Sequence, residues 1–193
     1  AALHTGQCIQ GLEQDEQAVR LRIEGAAARP EGDALVAADG LWSVLRQDLL
    51  GDRVARPSDH VALRGMAPMA ELSAPWHAPE VTAWLAPGLH VVTYPVQAGH
   101  MLNIVCVTQR AVEGEYTGWD HPATRERVLR GLAGVCASLR ELPDVVPRWG
   151  SWVLHDRAPV AAPAQMARGR VALLGDAAHP MRPYLAQGAA MAI

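Results

Sequence analysis

The chain reads as an α/β protein carrying an α+β insertion, and three observations lead there. Two short apolar runs end in an Asp–Gly or Gly–Asp pair, "ALVAADG" (residues 34–40) and "RVALLGDAAHP" (residues 170–180). Both have the composition of strands in a buried parallel sheet. From about residue 58 the grammar changes to strand-like runs linked by short turns, as in an antiparallel meander. The order α/β, antiparallel α+β, α/β describes one domain inserted within another. We place the pieces at residues 1–57, 58–150 and 151–193.

Each element follows from its local pattern. Residues 4–12 and 18–24 read as two extended segments around the polar turn "EQDEQ"; Val19, Leu21 and Ile23 alternate with Arg20, Arg22 and Glu24, the period of a strand with one wet face. "ALVAADG" is a short buried strand. "LWSVLRQDLLG" (41–51) is a helix with Leu41, Val44, Leu45 and Leu49 on one side and Gly51 as its stop. "HVALRGM", "VTAWLA", "LHVVTYPV" and "MLNIVCVT" are strands, the last three joined at Pro87–Gly88 and "QAGH". One helix is expected over about 122–141, with Pro122 near its start, Val128, Leu132, Val135, Leu139 and Leu142 as its stripe, and Pro143 ending it. "SWVLHDRAP" is a further strand, after which "RVALLGDAAHP" returns to parallel-sheet grammar.

Composition narrows the function classes. With 50% hydrophobic and 19% charged residues the chain can bury a core. A net charge of −3 gives no support for binding nucleic acid or an anionic membrane surface. No apolar run approaches the ~18 residues of a membrane span, and no signal peptide is visible, so a cytoplasmic location is expected. Cys8, Cys106 and Cys136 sit in apolar stretches without metal-ligand spacing; they read as buried free thiols, and no metal is expected. The six tryptophans scatter without stacking periodicity and are expected in core or interface. The chain begins "AALHTGQ" and stops at "AQGAAMAI", which reads as a section of a longer protein.

Ligands of open α/β sheets bind beyond the carboxyl ends of strands. Asp39 and Asp176 occupy that position, each beside small residues that permit close backbone approach. Asp176 could accept hydrogen bonds from a ribose or ribityl hydroxyl; for either aspartate the competing reading is a helix N-cap. Arg46 could pair with Asp39 or with a phosphate, or form a surface ion pair. His90, Val92 and Tyr94 share one strand face, which suits a hydrogen-bonded core pair or contact with a ligand. Arg64 is a candidate bidentate partner for a carboxylate.

"ADGLWSVLR" (Ala38 to Arg46) matches a D-G-x-x-S-x-x-R motif, and "GDAAHP" (Gly175 to Pro180) matches a G-D motif. With these the chain resembles the single-component flavin aromatic hydroxylases. "LHDRAP" and "HPMRPYLAQGAAMAI" are most similar to the salicylate and 3-hydroxybenzoate 6-hydroxylase branch. The G-x-G-x-x-G loop with which that family opens is not in these residues. The resemblance implies part of an FAD-binding Rossmann-like domain with an inserted antiparallel-sheet substrate domain. It implies FAD as cofactor, NAD(P)H as co-substrate, and O₂ and a small aromatic acid as partners, with a homodimer as the assembly to test. Asp39 with Gly40 would orient the dinucleotide-binding loop, Gly175 and Asp176 would hold the ribityl chain, and Gln187, Gly188 and Ala189 would offer backbone N–H groups to the isoalloxazine N1–C2=O edge. Pro180 would sit beside the ring, and His90 with Tyr94 would handle the phenol proton. Hydroxylation through a flavin C4a-hydroperoxide is the implied chemistry. His179 is expected to be structural, and His155, Asp156 and Arg157 to brace a domain junction. The alternatives are a non-catalytic section unable to hold FAD alone and a related flavoprotein of quinone biosynthesis.

Overall fold

The computed structural model describes residues 2–109 and 121–192. They divide into two compact units, Ala1–Arg56 with His155–Ile193 and Pro57–Leu154. The first unit opens with the antiparallel strands β1 (Ile9–Gln14), β2 (Val19–Ile23) and β3 (Glu31–Gly32). β1 starts later than the alternation suggests because Gly6 takes φ +68°, breaking the extended run. Asp15 closes the β1–β2 turn by accepting the N–H groups of Gln17 (2.8 Å) and Ala18 (2.9 Å). The Arg20 guanidinium, together with those two N–H groups, lowers its carboxyl to about 2.

β4 (Leu35–Ala37) follows. It is half-exposed rather than fully buried: Ala37 is in the core while Val36 is 61% exposed. Among the described residues one face of the sheet packs into the core, so alternate side chains divide between core and surface. α1 (Val44–Leu50) begins three residues later than its apolar pattern because Ser43 is the N-cap, its Oγ accepting the Arg46 N–H at 2.8 Å. Gly51, left-handed at φ +63°, ends the helix by donating its N–H to the Gln47 carbonyl.

The second unit is a six-stranded sheet built from β5 (Arg56–Pro68), β6 (Thr82–Ala86), β7 (Leu89–Val96), β8 (Met101–Gln109), β9 (His121–Pro122) and β10 (Trp149–Asp156), in the order β6-β7-β8-β5-β10-β9. The meander of β6, β7 and β8 turns at Pro87–Gly88 and at residues 97–100, as the turn residues predict. One face, with Val61, Leu63, Val91, Ile104 and Cys106, forms the main core. Gly65 is required there, since a Cβ would lie 2.5 Å from Val146 Cγ1 and 3.2 Å from the Trp149 ring.

The helix expected over 122–141 is instead three short ones, α2 (Arg125–Gly131), α3 (Ala137–Arg140) and α4 (Leu142–Val145). Pro122 belongs to β9, and Pro143 lies in the first turn of α4 rather than ending a helix. Gly134 takes φ +82°, a conformation that breaks the run. The stripe survives the break: Val128, Leu132, Val135, Leu139 and Leu142 all join the core. Burial therefore dictated which residues turn inward, while the glycines decided where the helix is cut.

Of the cysteines only Cys106 is buried, and that burial pushes its thiol up to about 12. Cys8 and Cys136 are exposed, contrary to expectation; each lies outside the sheets, Cys8 ahead of β1 and Cys136 at the entrance to α3. Trp76 and Trp149 are buried and Trp84 packs against Trp76, whereas Trp42 is exposed. Trp119 lies outside the described residues.

The chain returns to the first unit through α5 (Pro163–Met166), β11 (Ala167–Arg168), β12 (Val171–Leu173) and α6 (Gly188–Met191). β12 pairs antiparallel with β11 and parallel with β4. Val19, Ala37, Leu45, Leu49, Val171, Leu173 and Ala178 make this unit's core. Among the described residues no helix is long and apolar enough to cross a membrane.

Candidate functional site

The parallel register Leu35↔Val171, Val36↔Ala172, Ala37↔Leu173 sets the carboxyl ends of β4 and β12 side by side. The Leu174 N–H extends the ladder by one bond to the Ala37 carbonyl, 2.9 Å. Beyond those ends the chain delivers Asp39–Gly40 from one strand and Gly175–Asp176 from the other. Sequence separation of more than a hundred residues is thus reduced to neighbouring loops.

The two aspartates are used differently. Asp39 is spent on its own loop: Oδ1 accepts the Ser43 hydroxyl at 2.6 Å and Oδ2 accepts the Leu45 N–H at 3.1 Å. Together with the Ser43 cap, this satisfies the first turn of α1. Gly40 takes φ +77° and has nothing within 4 Å of where a Cβ would stand, so the loop backbone is open on that side. Asp176 is exposed and its carboxylate makes no hydrogen bond among the described residues, although Gly175, Ala177 and Ala178 around it are buried. It does not cap its own turn. Gly175 enters at φ +58°, and its carbonyl accepts the N–H groups of Ala178 and His179, both at 2.9 Å.

Arg46 pairs with neither Asp39 nor the surface. It is 1% exposed and its guanidinium reaches Asp52 Oδ2 (Nε, 2.6 Å), the carbonyls of Ala177 (3.2 Å) and Ala178 (2.9 Å) through Nη1, and the Ala158 carbonyl through Nη2 (2.6 Å). Arg157 is the second arm: Nη2 reaches Asp52 Oδ1 at 2.7 Å, while Nη1 donates to the carbonyls of Leu41 and Ser43, both at 3.1 Å. One carboxylate and five carbonyls therefore share two buried guanidinium groups, tying the loop after β4 to the loop after β12. Sequence reasoning missed Asp52, whose only signal is its place just after the Gly51 stop. Ser43 stood within the D-G motif without its role being legible.

The neighbours of Arg157 are also used inside this unit. His155 stacks edge-on with Trp42 at a centroid distance of 4.6 Å, and Asp156 takes both ends of the Arg182 guanidinium. Gln187 stands at the entrance of α6, followed by Gly188 and Ala189, and α6 packs on the turn that holds Gly175 and Asp176. Pro180 and His179 are half-buried beside that turn.

His90 and Tyr94 belong to the second unit. Within β7 they lie on the face opposite the core, with Val92 between them; His90 is buried and Tyr94 half-buried. Cross-strand neighbours extend this face. His90 stands opposite Val107, Val92 opposite Val105 and Tyr94 opposite Asn103. On the next strand Val105 stands opposite Arg64 and Asn103 opposite Met66. An apolar floor of valines thus separates two polar edges.

Residues 1–193 match the profile of a family described as FAD binding domain. The chain is 38% identical over 184 residues to the 3-hydroxybenzoate 6-hydroxylase of Polaromonas naphthalenivorans (strain CJ2), covering 94% of this chain and 44% of that one. It is 35% identical over 193 residues to 3-hydroxybenzoate 6-hydroxylase 1 of Aquipseudomonas alcaligenes, covering 100% of this chain and 42% of that one. The chain thus spans less than half the length of these two relatives. Among solved structures, a salicylate hydroxylase substrate complex superposes with a TM-score of 0.82 at 26% identity, over 95% of this chain and 48% of that one. By the match over its whole length, this chain belongs to the FAD binding domain family.

Proposed function

We propose that the whole protein is an FAD-dependent monooxygenase that hydroxylates a small aromatic acid of the hydroxybenzoate or salicylate class, using NAD(P)H and O₂. The observation that carries this reading is the pair of strand-end loops. They are locked to each other by Arg46, Asp52 and Arg157, yet they leave the Asp176 carboxylate unspent. A rigid loop presenting a free acceptor beside buried small residues fits a hydroxylated chain lying against backbone.

In this reading the first unit holds the cofactor and the second the substrate. Asp176 accepts hydrogen bonds from the ribityl hydroxyls, and Gly175 lets the chain approach. Asp39 and Gly40 shape the adjoining loop, with Asp39 acting through Ser43 and α1 rather than by touching the ligand. Arg46 is a positioning residue, since its described donors are engaged by the protein. Gln187, Gly188 and Ala189 would offer backbone N–H groups to the isoalloxazine edge, and Pro180 would help to exclude water from it. Bound FAD supplies hydride acceptance from NAD(P)H and oxygen activation. On the second unit, His90 and Tyr94 take the phenol, orient its ring and move its proton away, raising electron density at the carbon to be hydroxylated.

The test is catalytic. Purified full-length protein should be yellow, should oxidise NADH faster when a hydroxybenzoate is added, and should release a dihydroxylated acid. Flavin-bound protein whose NADH oxidation ignores every hydroxybenzoate and salicylate tried would refute the substrate assignment.

A further inference from the structure

Two guanidinium groups and one carboxylate are buried together beside the Asp176 turn, and their charges do not cancel. The side chains of Arg46 and Arg157 are 2% and 1% exposed, and that of Asp52 is 17% exposed. Asp52 serves both: Oδ2 accepts Arg46 Nε at 2.6 Å and Arg157 Nε at 3.3 Å, and Oδ1 accepts Arg157 Nη2 at 2.7 Å. The remaining described partners of the two groups are the carbonyls of Leu41, Ser43, Ala158, Ala177 and Ala178, which are dipoles without net charge. Arginine stays protonated in proteins, so the cluster carries one positive charge in excess. The other carboxylates of these two loops, Asp39 and Asp176, are exposed, where water and salt screen them.

An unbalanced charge out of water is expensive, and its field is felt more strongly through protein than through solvent. A brace alone does not need it, since one guanidinium per carboxylate could hold a loop with no net charge. Arg46 Nη1 donates to the carbonyls of Ala177 and Ala178, the two residues directly after Asp176. The excess charge therefore lies against the turn that the proposed function gives to the ribityl chain. That chain joins the flavin ring at N10, next to the N1–C2=O edge, so a ring held through it stays within a few bonds of the turn. FAD that takes a hydride from NAD(P)H becomes an anion with its charge on that edge, and the nicotinamide leaves as a cation.

We propose that the excess charge of Arg46, Asp52 and Arg157 favours the reduced, anionic form of the bound flavin over the oxidised form and so raises its reduction potential. The proposal rests on the FAD reading and deepens it, giving the arch between the loops a part in the redox chemistry besides bracing. Arg157 is the residue that takes the cluster above neutrality; without it, Arg46 and Asp52 form a balanced pair. Its described partners are Asp52 and the carbonyls of Leu41 and Ser43, so it acts through its field rather than by holding the Asp176 turn.

The experiment measures oxidised FAD affinity and the flavin midpoint potential on full-length protein, which together give the affinity for reduced FAD. Arg157→Gln should lower the ratio of reduced to oxidised affinity by about threefold or more, or about 14 mV for a two-electron couple. Arg157→Lys keeps the charge but loses the planar fork, and should return the ratio to within about twofold of wild type. Asp52→Asn should move it the other way, upward by about threefold or more. A purely structural brace predicts that Lys fails as Gln does, and that Arg157→Gln and Asp52→Asn shift the ratio in the same direction or not at all. Either result would overturn the proposal. Equal weakening of both flavin forms in Arg157→Gln would overturn it too, assigning the charge to the pyrophosphate, which both forms carry. Complete loss of FAD from Arg157→Gln would do the same, reducing the cluster to a brace. If Asp52→Asn does not fold, the Gln and Lys variants decide alone. Wild type that binds no FAD would sink the flavin reading itself, and the inference with it.

Discussion

The strand-end loops of the first unit and the sheet face of the second solve the problem of presenting polar groups in different ways. In the loops nearly every polar group is satisfied by the protein: Asp39 by Ser43 and Leu45, and Arg46 and Arg157 by one carboxylate and a set of carbonyls. Among the described residues of these two loops, the Asp176 carboxylate is left without a hydrogen bond. On the sheet face, polar side chains stand on an apolar floor with their capacity incompletely used, as at Asn103 and Arg64. The first arrangement spends side chains to shape backbone, which suits a cofactor held the same way each time. The second keeps side-chain capacity for a ligand, which suits substrate choice.

The largest way to break this comparison is at Asp52. Asp52→Ala leaves two guanidinium groups buried without a counter-charge and should cost about 3–5 kcal/mol in denaturant unfolding. A cost under about 1 kcal/mol would mean that the carbonyls alone hold the arch. On the other unit, Gly65→Val drives a side chain into Val146 and Trp149 and should destabilise by about 1–3 kcal/mol through overpacking.

Ser43→Ala removes the α1 cap and one of the two bonds that Asp39 accepts, for an expected loss of about 1 kcal/mol. Its effect on flavin affinity should be smaller than that of any change at Asp176. The Cys106 thiol gives a pH-dependent test. Its folded pKa is raised to about 12, so its contribution to stability is whole below about 8.5 and is lost as pH rises toward about 12. Unfolding midpoints of wild type should fall over that window more steeply than those of Cys106→Ala; parallel slopes would contradict the thiol's part. The smallest effect is expected at the exposed Arg125–Asp144 pair, where Arg125→Ala should change stability by no more than about 1 kcal/mol.

How much of this was legible depends on what fixes each feature. The pairing of β4 with β12 and the hairpin of β7 with β8 follow from apolar runs and turn residues, which are local information. The D-G and G-D segments could be located because a strand-to-loop transition with tight backbone approach restricts which residues fit. The partners of Arg46 were not legible: a guanidinium six bonds from the backbone can reach either aspartate, and only tertiary packing selects Asp52 over Asp39. The broken helix was hidden because its apolar stripe continues through Gly134 as if the helix did. Asn103 carried no signal, since an asparagine inside "MLNIVCVT" reads equally as a satisfied core amide. Its incompletely used amide depends on the register that sets it opposite Tyr94 and on Arg64 occupying only its oxygen.

The central claim is that Asp176 holds the flavin's hydroxylated chain, and the most direct measurement is FAD affinity. Full-length apoprotein titrated with FAD should bind it, and Asp176→Ala should bind it at least about tenfold more weakly. The thermal midpoint of the variant's apoprotein should match wild type, because the carboxylate makes no hydrogen bond among the described residues. Equal FAD affinity in the two proteins, or a wild type that binds no flavin, would contradict the account.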